Sequence, residues 1–286
     1  MPSYRRQFID GKYGQIHLRM YDAAASSKPP LICLHMFPQS GRNYGNFIEA
    51  MGTDRTVIAP DFPGYGESSA PAQPIDATGY AESIGDLIDQ LSLSERHDQV
   101  DIFGIHAGSK LAVELAYQRS HLIRKLILSS AAILLPEEIE QMNNSLAHVP
   151  LDEKGTRYQL FWDMLLRNKN SQTNLEMAAD NFAEMIRGGE KYSWGHQAVF
   201  AYNALFPERL KSLPHAIALL NPEDDLYEMT PRTQAYLRNG EMIDLPGWGF
   251  GFLETHANEL AEIVNEFLDR DDEQLKQSTL LTQSNL

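Results

Sequence analysis

Residues 101–116 read DIFGIHAGSKLAVELA, which predicts a strand, a tight turn and a helix in succession. The run VDIFG at 100–104 is apolar without alternation, which is typical of a strand buried on both faces. Apolar residues at helical spacing follow over Lys110–Arg119. Between strand and helix, Gly104 and Gly108 flank a three-residue turn. Glycines at such places allow a constrained backbone to pass close to its neighbours.

The same strand and helix signals recur on both sides of this stretch. A further helical pattern covers Tyr80–Leu91. Further unalternating apolar runs are LICLH (31–35), TVIAP (56–60) and KLILSS (125–130). Strands that alternate with helices predict a doubly wound, mostly parallel sheet. Ahead of them, YRRQFID and QIHLRMYD flank the turn at Gly11–Gly14 and predict an antiparallel hairpin.

The strand signal stops between about Pro136 and Leu210, where several segments carry apolar residues at helical spacing. Sheet character returns at AIALLN (216–221) and GEMIDLP (240–246), before a final amphipathic helix over Asn258–Leu268. These changes divide the chain into a core, an inserted helical cap and a polar tail. The core covers 1–135 and 211–270, the cap covers 136–210, and the tail at 271–286 is expected to be flexible.

Composition narrows the classes of partner. The 286 residues include 39 acidic and 24 basic ones, for a formal charge of −15, which disfavours nucleic acid and anionic membranes. No apolar run approaches the ~20 residues of a spanning helix, so we expect a cytoplasmic protein whose partner is a small molecule. The sequence does not decide whether the chain forms a homodimer. The single Cys33, in a predicted buried strand, excludes an internal disulfide, and we predict neither a cofactor nor a metal.

Three segments in this order resemble the α/β-hydrolase superfamily. They are LICLHMFPQS (31–40), APDFPGYGESSAP (59–71) and DIFGIHAGSKLAVELA (101–116). The phrase DFPGYGES at 61–68 resembles especially the branch of epoxide hydrolases, haloalkane dehalogenases and C–C bond hydrolases. The resemblance extends from the hairpin to the last helix. It implies an eight-stranded, mostly parallel sheet flanked by helices, with a cap over a pocket.

The resemblance also implies a catalytic triad altered at two of its three positions. The family's Gly-x-nucleophile-x-Gly turn corresponds to residues 104–108, which places His106 in the nucleophile position. Ser109 lies beyond that position and is not expected to replace it. The family's Pro-Gly-x-Gly-His phrase corresponds to 246–250, so Phe250 stands where the general base is found. A phenyl ring cannot accept a proton.

The acid position falls in the loop PEDDL after the run at 216–221. Counting from Pro222 along the family's Gly-x-x-Asp pattern selects Asp225, which is our prediction. Counting from Asn221 selects Asp224 instead, and the sequence leaves this register open. The alternative is that these carboxylates only solvate the loop or begin the next helix.

The resemblance further implies an oxyanion hole made by the backbone N–H groups of Phe37 and Ala107. The family's His-Gly pair here reads His35-Met36, and we expect the Met side chain to narrow the hole.

A wall of aromatic and polar side chains is predicted around the pocket. It comprises His35, Met36 and Phe250 from the core and Trp194 and His196 from the cap. For the two cap residues, packing in the protein core is the alternative, since aromatic residues at helical spacing more often fill a core. A surface position is a further alternative for His196.

Two functions follow from this pattern. In the first, the pocket binds a small, largely apolar organic molecule and His106 acts on it as a general acid or base, because imidazole titrates near neutrality. Lyase, isomerase and non-covalent hydrolytic reactions are all compatible with that role. In the second, the chain is a pseudoenzyme that binds a small molecule without chemistry, which the Phe250 substitution favours.

Overall fold

Eight strands form one sheet in the computed structural model, which describes residues 4–23, 25–52, 54–93, 97–146 and 148–271. They are β1 (Arg5–Gly11), β2 (Gly14–Tyr21), β3 (Leu31–Leu34), β4 (Val57–Pro60), β5 (Val100–Ile105), β6 (Ile123–Ser129), β7 (Ala216–Pro222) and β8 (Gly240–Leu245). Their order is β1-β2-β4-β3-β5-β6-β7-β8. The predicted hairpin β1–β2 and the pair β2–β4 are antiparallel, and the other pairs are parallel. The predicted fold class is confirmed.

The helices lie between and around these strands. In the described residues they are α1 (Gly45–Met51), α2 (Ala77–Gln90), α3 (Ala107–Gln118), α4 (Pro136–Ser145), α5 (Thr156–Asn168), α6 (Leu175–Arg187), α7 (Trp194–Tyr202), α8 (Phe206–Ser212), α9 (Phe252–Thr255) and α10 (Ala257–Asp269). Helices α2 and α3 pack on one face of the sheet, and α1 and α10 pack on the other. Every residue of β3, β4 and β5 is therefore buried, as their unalternating sequences indicate.

Helices α4 to α8 follow one another between β6 and β7, where the sequence predicts the cap. The predicted boundary at 210 falls inside α8, which ends at Ser212 and packs against α3. A short bridge between Lys169 and Phe250 also joins this segment to the loop after β8. The division into core and cap therefore stays a prediction, and most of the predicted tail, 272–286, lies outside the described residues.

The phrase DFPGYGES fixes the loops around the site through Asp61. This wholly buried carboxylate bonds to Arg19 at 3.0 Å, to His17 at 2.8 Å and to the Gly41 N–H at 2.8 Å. Burial alone would raise the pKa of Asp61, but these partners hold it below its ordinary value. A Cβ at Gly66 would lie 2.2 Å from the same carboxylate. The network ties the loop after β3 to the loop after β4.

Tyr65 of the same phrase joins the core to α7. Its buried hydroxyl donates to the Tyr192 carbonyl at 3.1 Å and accepts from the Gly195 N–H at 2.7 Å. A Cβ at Gly195 would lie 2.4 Å from the Phe37 ring, so the helix packs directly on that ring. Among the described residues, none of the helices has the length and apolar character needed to cross a lipid bilayer.

Candidate active site

The turn between β5 and α3 holds His106 in a strained backbone conformation. Its φ and ψ are 51° and −116°, outside the regions that L-residues ordinarily occupy. A Cβ at Gly104 would lie 2.4 Å from the Gly108 carbonyl oxygen, and one at Gly108 would lie 2.1 Å from the Leu34 carbonyl oxygen. Only glycine fits at either position. The tight packing around the turn positions the imidazole at the carboxyl end of the central strands.

His106 is hydrogen-bonded directly to a carboxylate. Its Nε2 lies 2.9 Å from Oδ2 of Asp224, whose side chain is 2% exposed. The Ser130 hydroxyl donates to the same oxygen at 2.5 Å, and the Leu226 N–H donates to Oδ1 at 2.9 Å. Ser130 and Asp224 follow β6 and β7, so three neighbouring parallel strands supply the cluster at one edge of the sheet.

The structure corrects the predicted acid residue by one position. The Asp224 N–H donates to the Pro222 carbonyl at 2.8 Å, and this tight turn directs Asp224 rather than Asp225 onto the imidazole. Asp225 instead lines the cavity in front of His106. Counting from Asn221 was therefore the correct register. Asp224 also makes specific side-chain bonds, so solvation of the loop is not its role.

The dyad of His106 and Asp224 shifts the acidity of both groups. Burial would lower the pKa of His106, but the charge of Asp224 and their hydrogen bond raise it above its ordinary value. Burial would raise the pKa of Asp224, but His106 and the Ser130 hydroxyl hold it below its ordinary value. An ionised carboxylate accepts a hydrogen bond from the Nε2–H group, which leaves the lone pair on Nδ1 in the neutral imidazole.

Replacing Asp224 with Asn should lower the pKa of His106, because the imidazolium loses its counter-charge while burial still disfavours it. The measurement is an NMR titration of the labelled imidazole. The matched control is Asp225→Asn, which removes a carboxylate one residue away that does not bond to the ring and should lower the pKa less. Equal effects of the two substitutions would contradict the assigned dyad.

The two predicted oxyanion donors lie on either side of His106. Ala107 is the first residue of α3, so its N–H has no acceptor within the helix. Phe37 lies in the loop after β3, and its ring packs against Tyr65 and Tyr80 with ring centroids 4.5 and 5.2 Å apart. Both residues line the cavity described next. The hole itself stays a prediction from the family resemblance.

A cavity lies in front of the dyad, between the sheet and helices α4 to α7. It has two adjoining parts, which share Phe37, Leu146, Asp225, His106 and His196 in their lining. The Phe250 lobe has a volume of about 150 Å³ and adds Met36, Met164, Leu165, Met185 and Phe250 to that lining, among others. The Lys110 lobe has a volume of about 90 Å³ and adds Ala107, Lys110, Ser130, Leu134, Val199 and Phe200, among others. Both walls are mainly apolar.

Three of the five predicted pocket residues, Met36, His196 and Phe250, line this cavity. His35 does not, because its wholly buried ring accepts the Phe62 N–H at 2.9 Å and donates to the Met36 carbonyl at 2.8 Å. Burial lowers the pKa of His35 to about 4, so it is a neutral structural residue. Trp194 does not line the cavity either, because its ring lies at the start of α7 beneath the Lys191 ammonium, 5.5 Å away.

His196 contributes a second imidazole to the cavity. Its ring stacks on Phe200 at 6.0 Å and meets Phe37 at 6.3 Å between ring centroids. Burial first, and then the nearby His106, lower the pKa of His196 to about 4, so this ring is neutral near pH 7. A hydrogen bond with the Phe37 backbone opposes this shift only in part. The ring therefore lines the cavity as a neutral polar group.

Phe250 lies beside His106, with ring centroids 5.3 Å apart and planes inclined by 36°. Its carbonyl accepts the Asn170 N–H at 3.0 Å, which holds the residue against the loop after α5. The phenyl ring therefore stands next to the elbow side chain but offers no proton acceptor. The apolar ring also shields one side of the imidazole from water.

Two other polar side chains near the elbow have structural roles. Ser109 is wholly buried, with its hydroxyl 2.7 Å from the carbonyl oxygens of Gly104 and Ser129. This placement explains why it cannot act as a substitute nucleophile. The ring of His256 stacks on Trp248, with centroids 4.5 Å apart, and does not belong to the cavity lining.

Sequence reasoning missed Ser130 and Lys110. Ser130 ends the apolar run KLILSS, and a polar residue at the carboxyl end of a parallel strand was a usable signal. Lys110 lies four residues beyond His106 in an otherwise apolar helical stretch, which places the two on one side of the helix start.

The two residues of the dyad also belong to a group of three side chains that could bind a metal ion. Ligand atoms of His106, Asp224 and Asp225 lie within 4.8 Å of one another, the one such group found in the described residues. The 2.9 Å separation of Nε2 and Oδ2 is a hydrogen-bond length, so a proton joins these two atoms. The predicted absence of a metal stays a prediction.

Part of the sequence is similar to known proteins. The family model described as "alpha/beta hydrolase fold" matches residues 29–168. A soluble epoxide hydrolase of Corynebacterium sp. (strain C12) is 34% identical over 110 residues, 38% of this chain and 37% of that protein. A poly(3-hydroxyalkanoate) depolymerase of Ectopseudomonas oleovorans is 34% identical over 113 residues, 38% of each protein. The aligned part thus spans less than two-fifths of either relative.

The fold is matched over a much greater length by solved structures. A thermophilic esterase from Thermogutta terrifontis superposes with a TM-score of 0.75 at 18% identity, over 92% of this chain and 98% of that one. At this identity the likeness concerns the fold alone. Because the sheet order, the tight turn after β5 and the sequence match agree, this chain has the α/β-hydrolase fold.

Proposed function

We propose that this chain is an enzyme that transfers a proton to or from a small, largely apolar carbonyl compound, with His106 as the general base and no covalent intermediate. The observation that carries the proposal is the 2.9 Å bond between His106 Nε2 and Asp224 Oδ2 at the tip of the elbow. A base oriented by a carboxylate in this way is a recurring catalytic arrangement. In this chain the base occupies the position at which α/β-hydrolases carry the nucleophile.

In the proposed step, Nδ1 of His106 takes a proton from the carbon next to the carbonyl. The electron pair of that C–H bond forms the enolate. The enolate oxygen accepts hydrogen bonds from the backbone N–H groups of Phe37 and Ala107. Asp224 stabilises the imidazolium that forms. A positioned base contributes about 10²–10⁴-fold, and one oxyanion donor about 10²–10³-fold. Return of the proton to a different atom gives isomerisation, and loss of a leaving group gives a lyase reaction.

The cavity supports the proposed class of molecule. The Phe250 lobe, with about 150 Å³, holds only a small ligand, and methionine, leucine and phenyl side chains dominate its walls. The lining also contains polar side chains, including those of Gln39, Asn43 and Asn181. Such groups fix the orientation of a ligand, while the apolar part of the wall supplies most of the affinity.

The test is deuterium exchange, which requires proton abstraction but not the complete reaction. Small ketones and esters would be incubated with the protein in D₂O, and loss of the proton signal next to the carbonyl followed by NMR. We expect exchange well above buffer background for at least one compound that also raises Tm, and a rate at least about 100-fold lower with His106→Gln. If compounds bind but none exchanges faster than in buffer, the proposal is wrong.

The competing function is a ligand-binding protein without chemistry. It is favoured by one observation, the apolar ring of Phe250 at 5.3 Å from the imidazole, where a second proton carrier would otherwise stand. The same experiment separates the two functions. A compound that raises Tm, exchanges no proton and is recovered unchanged would support the binding protein.

A further inference from the structure

The Lys110 lobe contains a buried cation that the proposed proton transfer does not use. Lys110 is 6% exposed and lines the lobe together with His106 and His196. Its Nζ donates to Asn203 Oδ1 at 2.9 Å and lies 5.5 Å from the centroid of the Phe206 ring. An ammonium has three N–H donors, and only one side-chain acceptor is seen for it in the described part of the chain.

No ion pair balances this charge in the described residues. Glu114, one turn further along α3, is bonded to Gln118 at 2.9 Å and lies 3.7 Å from Arg209. Buried cations are ordinarily paired with a carboxylate. The other titratable side chains that line the lobe are His106, His196 and Asp225, and none of them lies within ion-pair distance of Lys110 in the described residues.

We infer that Lys110 binds a carboxylate of the substrate, so that the molecule acted on at His106 is a small organic acid rather than a neutral ketone or ester. The two N–H groups without a side-chain acceptor would donate to its oxygens. Charge-assisted bonds of this kind are stronger than hydrogen bonds between neutral groups. This inference rests on the proposed function for the place of the reacting carbon.

The helix sets the spacing between the two groups. Lys110 lies three residues beyond Ala107, the first residue of α3, so at 1.5 Å per residue it is about 4.5 Å further from the elbow along the helix axis. A molecule such as 5-oxohexanoate, with three methylene groups between carboxylate and ketone, spans a separation of that order. Its neutral partner, 5-oxohexanamide, has the same shape and lacks only the charge.

Burial lowers the pKa of Lys110 to about 7, which agrees with a cation that lacks its partner. Near this pH the empty site carries a full charge only part of the time. An anion beside the amine would raise that pKa, so its binding at a higher pH should draw a proton from solution. The other titratable groups facing this region are His106, His196, Asp225, Glu114, Tyr202 and Arg209.

The test compares the Kd of 5-oxohexanoate with that of 5-oxohexanamide by calorimetry. We expect the acid to bind at least tenfold more tightly to the wild-type protein, and Lys110→Met to abolish this preference while the amide binds within twofold of wild type. The control is Lys211→Met, which removes an exposed lysine of α8 and should preserve the preference. Tm verifies that each variant is folded.

A second readout needs no variant of the lysine. At pH 8.5, calorimetry in buffers of different ionisation enthalpy should show uptake of close to one proton with each acid bound, and none with the amide. The same uptake is expected in His106→Ala, which assigns it to Lys110. A preference that survives Lys110→Met, an acid that binds no better than its amide, or binding without proton uptake would each overturn the inference.

These outcomes do not depend on turnover. If deuterium exchange fails for every compound but the acid binds through Lys110, the proposed function is wrong and the carboxylate site stands. If exchange occurs on neutral ketones and Lys110→Met leaves all binding unchanged, the proposed function stands and the carboxylate site is wrong.

Discussion

Replacing His106 with Ala should reduce catalysed exchange by about 10³-fold, which corresponds to about 4 kcal/mol of transition-state stabilisation. The variant removes the imidazole that is bonded to Asp224. It keeps the backbone N–H groups at 37 and 107, so a residual rate above buffer should persist. The measurement is the initial rate of deuterium incorporation at saturating substrate, with binding followed separately by calorimetry.

The control for this prediction is His121→Ala, which removes an exposed imidazole at the far end of α3 and should leave the rate unchanged. His106→Ala is expected to retain substrate binding, since the apolar walls and Lys110 are untouched. A rate that falls less than tenfold would show that another group abstracts the proton.

The second large effect is a gain of function. In the double variant His106→Ser, Phe250→His, we expect a burst of nitrophenol from a nitrophenyl ester, with an amplitude close to one per protein molecule. The rings at 106 and 250 are adjacent, with centroids 5.3 Å apart, and Asp224 is released from His106 to orient the new imidazole. The arrangement then meets the requirements for attack by an activated hydroxyl.

The single variants separate this effect from nonspecific hydrolysis. His106→Ser alone should give slow turnover without a burst, because an oxyanion hole and binding alone leave roughly 10³–10⁴-fold acceleration over water. Adding Asp224→Asn to the double variant should abolish the burst. A folded double variant that shows no burst with acetyl and butyryl esters would contradict the placement of position 250 or the predicted oxyanion hole.

Much of the fold was predictable because the central strands are buried on both faces. Their unalternating apolar runs were visible in the sequence, and the observed strands begin or end within two residues of them, as for β6 at Ile123–Ser129. The elbow was predictable as well, because sterics at Gly104 and Gly108 admit no side chain. Both features depend on local sequence and on packing that leaves few alternatives.

The carboxylate was predicted one residue away from its true place because loop register is not a local property. A turn closed by the bond from the Asp224 N–H to the Pro222 carbonyl decides which of two adjacent aspartates meets the imidazole. The prediction for His35 failed for a related reason, since its partner, the Phe62 N–H, is distant in sequence. Such contacts become visible only when the loops are assembled.

The pH dependence of catalysed exchange tests whether His106 is the base, because the rate follows the protonation state of the group that abstracts the proton. The base is active when deprotonated, so the wild-type rate should rise with pH through the raised pKa of His106 and then level off. In Asp224→Asn the plateau should be lower and the rise should occur at lower pH. An identical profile in both proteins, or a rate independent of pH, would contradict a histidine base held by this carboxylate.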